Sequence, residues 1–90
     1  MDKIRRRYTF FGDVQGVGFR FRARSAAQHA GATGWVKNEW DGSVTMELQG
    51  TEEQIGQVLQ AVERGVFIHI ERVEAEDLPL NEHEYYFHEE

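Results

Sequence analysis

The order of elements readable in this 90-residue sequence predicts an α+β sandwich, one antiparallel sheet carrying two helices on a single face. Three observations carry the prediction. Two stretches repeat their apolar residues at helical spacing, another alternates apolar and polar residues like a half-buried strand, and glycines punctuate the joins. The length suits one domain, residues 1–90, because a chain this small buries only about 60–65% of the surface its unfolded form exposes and builds one core.

The first strand is "RRYTFFGDV", rich in aromatic and β-branched residues and closed by glycine. Next, "FRFRARSAAQHA" sets Phe19, Ala23, Ala26, Ala27 and Ala30 on one helical stripe, and Gly31 stops the helix. "GWVKNEW" reads as the second strand and "SVTMELQ" as the third, in which Val44, Met46 and Leu48 alternate with polar neighbours. Asp41-Gly42 between them marks a hairpin. Trp35 and Trp40, five positions apart, would face opposite sides of a regular strand, one in the core and the other partly exposed.

Thr51 and Gln54 have the spacing of a capping box. Behind them Ile55, Val58, Leu59 and Val62 form the second helical stripe, with Gly65 as its stop. "FIHIERVEA" is the fourth strand, Leu78-Pro79 a breaker, and "EYYFH" a short last strand that takes Tyr85, Tyr86 and Phe87 into its packing. The order βαββαβ plus a short terminal strand is the ferredoxin-like, split-βαβ arrangement, with the first strand beside the third and the second on the third's other side. Fold alone assigns no chemistry.

Composition removes several classes of function. There is no cysteine, so disulfides, thiolate metal sites and thiol nucleophiles are excluded. His29, His69, His83 and His88 follow no zinc-ligand spacing, and no metal is expected. The basic start (Lys3, Arg5 to Arg7) is followed by a run that Gly12 and Asp13 break, too short for a signal peptide. No apolar stretch nears the roughly 18 residues that span a bilayer. The expectation is a soluble, cytoplasmic monomer without a membrane partner. The net charge of −6 divides unevenly, +6 over residues 1–37 and −12 over residues 38–90. Two readings fit: solvated faces of opposite sign, or a positive field around the glycine-rich stretch "GDVQGVGFR". An acidic protein is poorly suited to wrapping nucleic acid.

That stretch, Gly12 to Arg20, joins the first strand to the first helix. The opening turn of a helix leaves N–H groups without partners and carries partial positive charge. Main-chain amides of Gln15, Gly16, Val17, Gly18 and Phe19 can curl around an oxyanion if glycine supplies the dihedrals, and Arg20 adds a permanently charged fork. A tight turn needs glycine anyway, so the glycines alone are weak evidence. Neither a Walker loop nor a dinucleotide fingerprint fits. Asn38, near the end of the second strand, is a turn residue by default. Its amide also has the donor and acceptor needed to hold a water in line with phosphorus.

Together, "GDVQGVGFR" and "GWVKNEWDGSVTMELQG" resemble the two signature motifs of the acylphosphatase family. The first reads Gly-x-Val-Gln-Gly-Val-x-Phe-Arg; the second reads Gly-aromatic-Val-basic-Asn, then Gly42-x-Val44 and Gly50. The likeness spans essentially the whole chain. It implies hydrolysis of the carboxyl–phosphate bond of small acyl phosphates, with no metal or organic cofactor. It further implies a phosphate-binding loop Gln15, Gly16, Val17, Gly18, Phe19 and Arg20, with Arg20 on the phosphoryl group and Asn38 positioning the water. Phe10 in place of an aliphatic residue and the absence of a proline after Gly65 are departures that touch none of these positions.

Two other readings stand beside this one. "GVGFRF" echoes an RNA-recognition motif, but it falls before the first helix rather than on the third strand, and "SVTMELQ" has no aromatic to stack a base. A catalytically silent anion-binding or interaction module is the other.

Overall fold

The computed structural model describes residues 2–90. Strands β1 (Ile4–Asp13), β2 (Thr33–Asn38), β3 (Val44–Gly50), β4 (His69–Leu78) and β5 (Phe87–Glu89) form one sheet in the order β4-β1-β3-β2-β5. Helices α1 (Phe19–Ala30) and α2 (Glu52–Glu63) cover one face. This is the ferredoxin-like arrangement. Strands β1 to β4 pair antiparallel, but β5 lies parallel to β2, so the sheet is mixed rather than wholly antiparallel.

Burial alternates along β1, where Tyr8 and Phe10 point under the helices and join Val36, Val44, Met46 and Leu48. From above, α1 contributes Phe19, Ala23 and Ala27, and α2 contributes Ile55, Val58 and Val62. The small residues of α1 let it sit close to the sheet. The capping box of α2 forms as expected: Thr51 Oγ1 accepts from the Gln54 amide at 3.1 Å, and Gln54 Oε1 accepts from the Thr51 amide at 2.9 Å. Gln54 Nε2 also donates to Ala30 O at 3.1 Å, and Arg22 Nε donates to Ala61 O near the other end. The helices therefore run antiparallel, the start of α1 beside the end of α2. Neither helix is long and apolar enough to cross a membrane.

Several boundaries differ from expectation. β2 ends at Asn38, and Trp40 lies in the following turn at 98% exposure. Trp35 faces away from the helices, beside Arg5 and Glu47, so neither tryptophan enters the core. The helix α2 ends on Arg64 in ordinary right-handed geometry, not on a left-handed glycine. Gly65 serves by lacking a side chain, since a Cβ there would press on Ile68 Cδ1 at 2.5 Å. In β5 only Phe87 packs inward; Tyr85 and Tyr86 precede the strand and are exposed.

The sheet face opposite the helices holds a buried ion network. Arg5 is only 5% exposed, donating to Glu47 Oε1 at 2.7 Å and to Glu84 Oε1 at 2.8 Å. Glu47 Oε2 also accepts from Arg7 at 2.8 Å. Burial opposes ionisation of Glu47, but the hydrogen bonds from Arg5 and Arg7 outweigh it and hold the carboxyl below its ordinary value. Such a carboxylate stabilises fully above the unfolded value of about 4.3, and its contribution is lost as pH falls through the lower folded value. Glu47→Ala leaves a buried guanidinium short of a partner and should cost about 3 kcal/mol, read as a lower urea midpoint. Glu47→Gln should flatten the acid limb of the stability–pH curve. An unchanged limb would show that the carboxylate is not what titrates.

Candidate active site

Between Val14, just after β1, and Phe19, the first residue of α1, the chain has four residues in which to turn, and both ends are sunk in the core. Val14 and Phe19 are buried. Gly16 and Gly18 adopt φ of 71° and 84°, left-handed values that L side chains rarely tolerate. A Cβ at either would meet nothing within 4 Å, so the requirement is dihedral rather than spatial. The loop is also fastened from the side. Gln15 Nε2 donates to Glu39 O at 2.6 Å and to Ser43 O at 2.9 Å, tying it to the β2–β3 hairpin. Asp41 Oδ1 in turn accepts from the Ser43 hydroxyl at 2.6 Å and the Ser43 amide at 2.9 Å.

Gly18 is the residue before the first turn of α1, and it has no side chain with which to cap that turn. The first turn also contains no acidic residue. The Arg22 amide reaches Gly18 O at 3.0 Å, so the amides of Phe19 to Phe21 are those the helix itself leaves unused. Their partial positive charge faces a recess of about 160 Å³.

Of the residues expected at the site, Gly16, Gly18, Phe19, Arg20 and Asn38 line this recess. Asn38 arrives from across the sheet, as the last residue of β2 opposite Val44. Gln15 and Val17 do not line it. The Gln15 side chain is turned into the hairpin, and Val17 borders a neighbouring groove between the helices. Arg20 Nη1 donates to the main-chain oxygen of Glu90 at 2.8 Å, which ties down the guanidinium of this recess-lining residue.

The tail that supplies this contact is positioned by β5. The Glu90 amide donates to Val36 O at 2.8 Å, and Glu89 pairs with Val36 in the β2–β5 register. Glu89 thereby becomes part of the recess wall, its carboxylate 3.3 Å from Arg24 Nη1. Sequence reasoning named neither Glu89 nor Phe21, which also lines the recess. Only the parallel pairing of β5 with β2 brings Glu89 there. Phe21, two residues beyond a proposed phosphate ligand on a helix, breaks the apolar stripe, and that was the signal available.

Of the two readings of the basic first half, the positive field around the glycine stretch is weakened by ion pairing. Arg5, Arg6 and Arg7 pair with acids of β3, β4, α2 and the segment before β5. Arg24 pairs with Glu89, whereas Arg22 donates to the neutral Ala61 O and keeps its charge on the groove side of α1. The basic side chain that lines the recess itself is Arg20, beside the start of α1.

A family model described as Acylphosphatase matches residues 6–89. The chain is 42% identical over 69 residues to an acylphosphatase from Oceanobacillus iheyensis, covering 74% of this chain and 76% of that one. It is 39% identical over 74 residues to one from Leuconostoc mesenteroides, covering 80% and 82%. Among solved structures, the acylphosphatase of Bacillus subtilis superposes with a TM-score of 0.85 at 30% identity, over 94% of this chain and 96% of that one. That of Coxiella burnetii does so with a TM-score of 0.87 at 27% identity, over 99% and 94%.

If the loop amides are the anion receptor, Gly18→Ala should cost only about 1–2 kcal/mol of stability through its left-handed φ. It should nonetheless weaken inorganic phosphate binding at least tenfold, because relieving the strain re-aims the amides. An amide-detected NMR titration with phosphate reads this directly. Wild-type affinity in a folded variant would assign the anion elsewhere.

Proposed function

The chain belongs to the acylphosphatase family, and on that premise we propose that it hydrolyses the carboxyl–phosphate bond of small acyl phosphates in the recess at the start of α1. The observation that carries this reading is convergence. An uncapped helix end, two left-handed glycines, one arginine and one asparagine from three separate elements share a single recess.

In this reading the amides of Gly16, Gly18 and Phe19 and the Arg20 guanidinium receive the phosphoryl oxygens. A guanidinium has five N–H groups, so the bond from Arg20 to Glu90 leaves the others for substrate. Asn38 accepts from the attacking water and sets its line of approach. The water oxygen bonds to phosphorus as the bond from phosphorus to the acyl oxygen breaks, and the electron pair departs with the carboxylate. The water proton passes to a phosphoryl oxygen or to solvent.

Carboxylate is a stable leaving group at neutral pH, so no general acid is required. Charge spreads over the phosphoryl oxygens in a loose transition state, and positioning plus preorganised dipoles supply the catalysis. Glu89 would repel a dianion if it stood alone. Its pairing with Arg24 at 3.3 Å offsets that charge.

Arg20→Ala should damage both phosphate affinity and turnover of benzoyl phosphate, and Arg20→Lys should not restore them because the fork is lost. Asn38→Ala should lower kcat by about two to three decades while inorganic phosphate inhibits as before. All are assayed with chelator present. Parent turnover in Asn38→Ala would remove the water-positioning role. Phosphate binding by the wild-type protein without any turnover would favour the silent anion binder.

A further inference from the structure

The phosphate recess opens at one side into a larger groove of about 790 Å³ between α1 and α2, and the two share Gly18 and Phe21. Because the helices are antiparallel, the end of the groove beside the recess combines the start of α1 with the turn after α2. The character of the groove changes along its length. Val17, Phe21, Val66 and Phe67 stand at the recess end, with the Arg22 and Arg64 side chains on its flank, whereas Ser25, His29, Gln57 and Gln60 lie farther along the helices.

The apolar end is exposed and held in place. Phe21 is 63% exposed, Val66 83% and Phe67 73%. A soluble domain gains nothing in stability from presenting such side chains together, and clustered apolar exposure marks binding surfaces. The turn that presents Val66 and Phe67 is tight: the Gly65 amide donates to Val62 O at 3.2 Å and the Ile68 amide to Gly65 O at 3.1 Å, with Ile68 buried beneath. The Phe21 ring is steadied by the Arg24 guanidinium, 5.6 Å from its centroid, the same arginine that pairs with Glu89.

We propose that Val17, Phe21, Val66 and Phe67 form the acyl subsite, selecting acyl phosphates whose carboxyl carries an apolar, ring-sized body. This rests on the proposed hydrolysis at the adjoining recess. With the phosphoryl group held by the loop amides, the acyl portion must leave through the open side. The low glycine wall at Gly18 leads onto the apolar shelf, while the opposite wall presents Asn38 and the Glu89 carboxylate. An apolar group gains contact area in the first direction, where Arg22 is turned to Ala61 O, and in the second it meets the polar Asn38 amide and the Glu89–Arg24 ion pair.

The experiment compares kcat/KM for benzoyl phosphate and acetyl phosphate in the wild-type protein, Phe67→Ala, the double variant Val66→Ser with Phe67→Ala, and Phe21→Ala. The wild-type protein should favour benzoyl phosphate, and each variant should lower the benzoyl-to-acetyl ratio about five- to tenfold, mostly through KM. Competitive inhibition by inorganic phosphate, which reads the recess alone, should stay at its wild-type value in Phe67→Ala. A ratio that does not move, or two substrates that fall in parallel, overturns the subsite and leaves the hydrolase reading intact. Failure of the wild-type protein to hydrolyse either substrate overturns the hydrolase reading, and the subsite with it.

Discussion

The organisation of the site follows from the short passage between two buried anchors, Val14 and Phe19. Four residues must reverse the chain from the end of β1 into the axis of α1, and glycines in left-handed geometry at positions 16 and 18 make that turn. The same constraint leaves α1 without a cap, because Gly18 stands where Ser, Thr or Asp would ordinarily satisfy a first-turn amide. Gln15, braced against the β2–β3 hairpin, keeps the loop from relaxing into some other turn.

The two helices treat their N-termini in opposite ways. α2 has a complete capping box and two acidic residues, Glu52 and Glu53, in its first turn, so its end charge is largely offset within the chain. α1 has neither device. Glycine in place of a capping side chain costs only about a few tenths of a kcal/mol, a modest sum in a domain that buries ion pairs and aromatic rings elsewhere. The asymmetry leaves the uncapped end of α1 at the recess that Arg20 and Asn38 both line.

Charge is similarly rationed. The basic side chains of β1 are consumed by acids on neighbouring strands, far from the loop, and Arg24 is shared between Phe21 and Glu89. The positive charge left at the recess is local, which supports the proposed reading of one small anion held there rather than a polyanion. The segment containing β5 contributes through that strand's parallel seat beside β2, which delivers the Glu90 main-chain oxygen to Arg20 and the Glu89 carboxylate to the recess wall.

The sequence by itself determined the elements and their order, because periodicity, glycine punctuation and the Thr51–Gln54 pair are local signals that report local energetics. It also marked the loop residues and Asn38, whose residue types and spacing match the two family motifs. Tertiary structure decided which of these side chains meet. Gln15 became a brace and Val17 part of the groove, both tryptophans stayed out of the core, and Arg5 to Arg7 were neutralised by partners about 40 to 80 residues away in sequence. Such pairings depend on strand register and on the direction of β5, and both follow from how the whole sheet buries its apolar face rather than from any window of neighbouring residues.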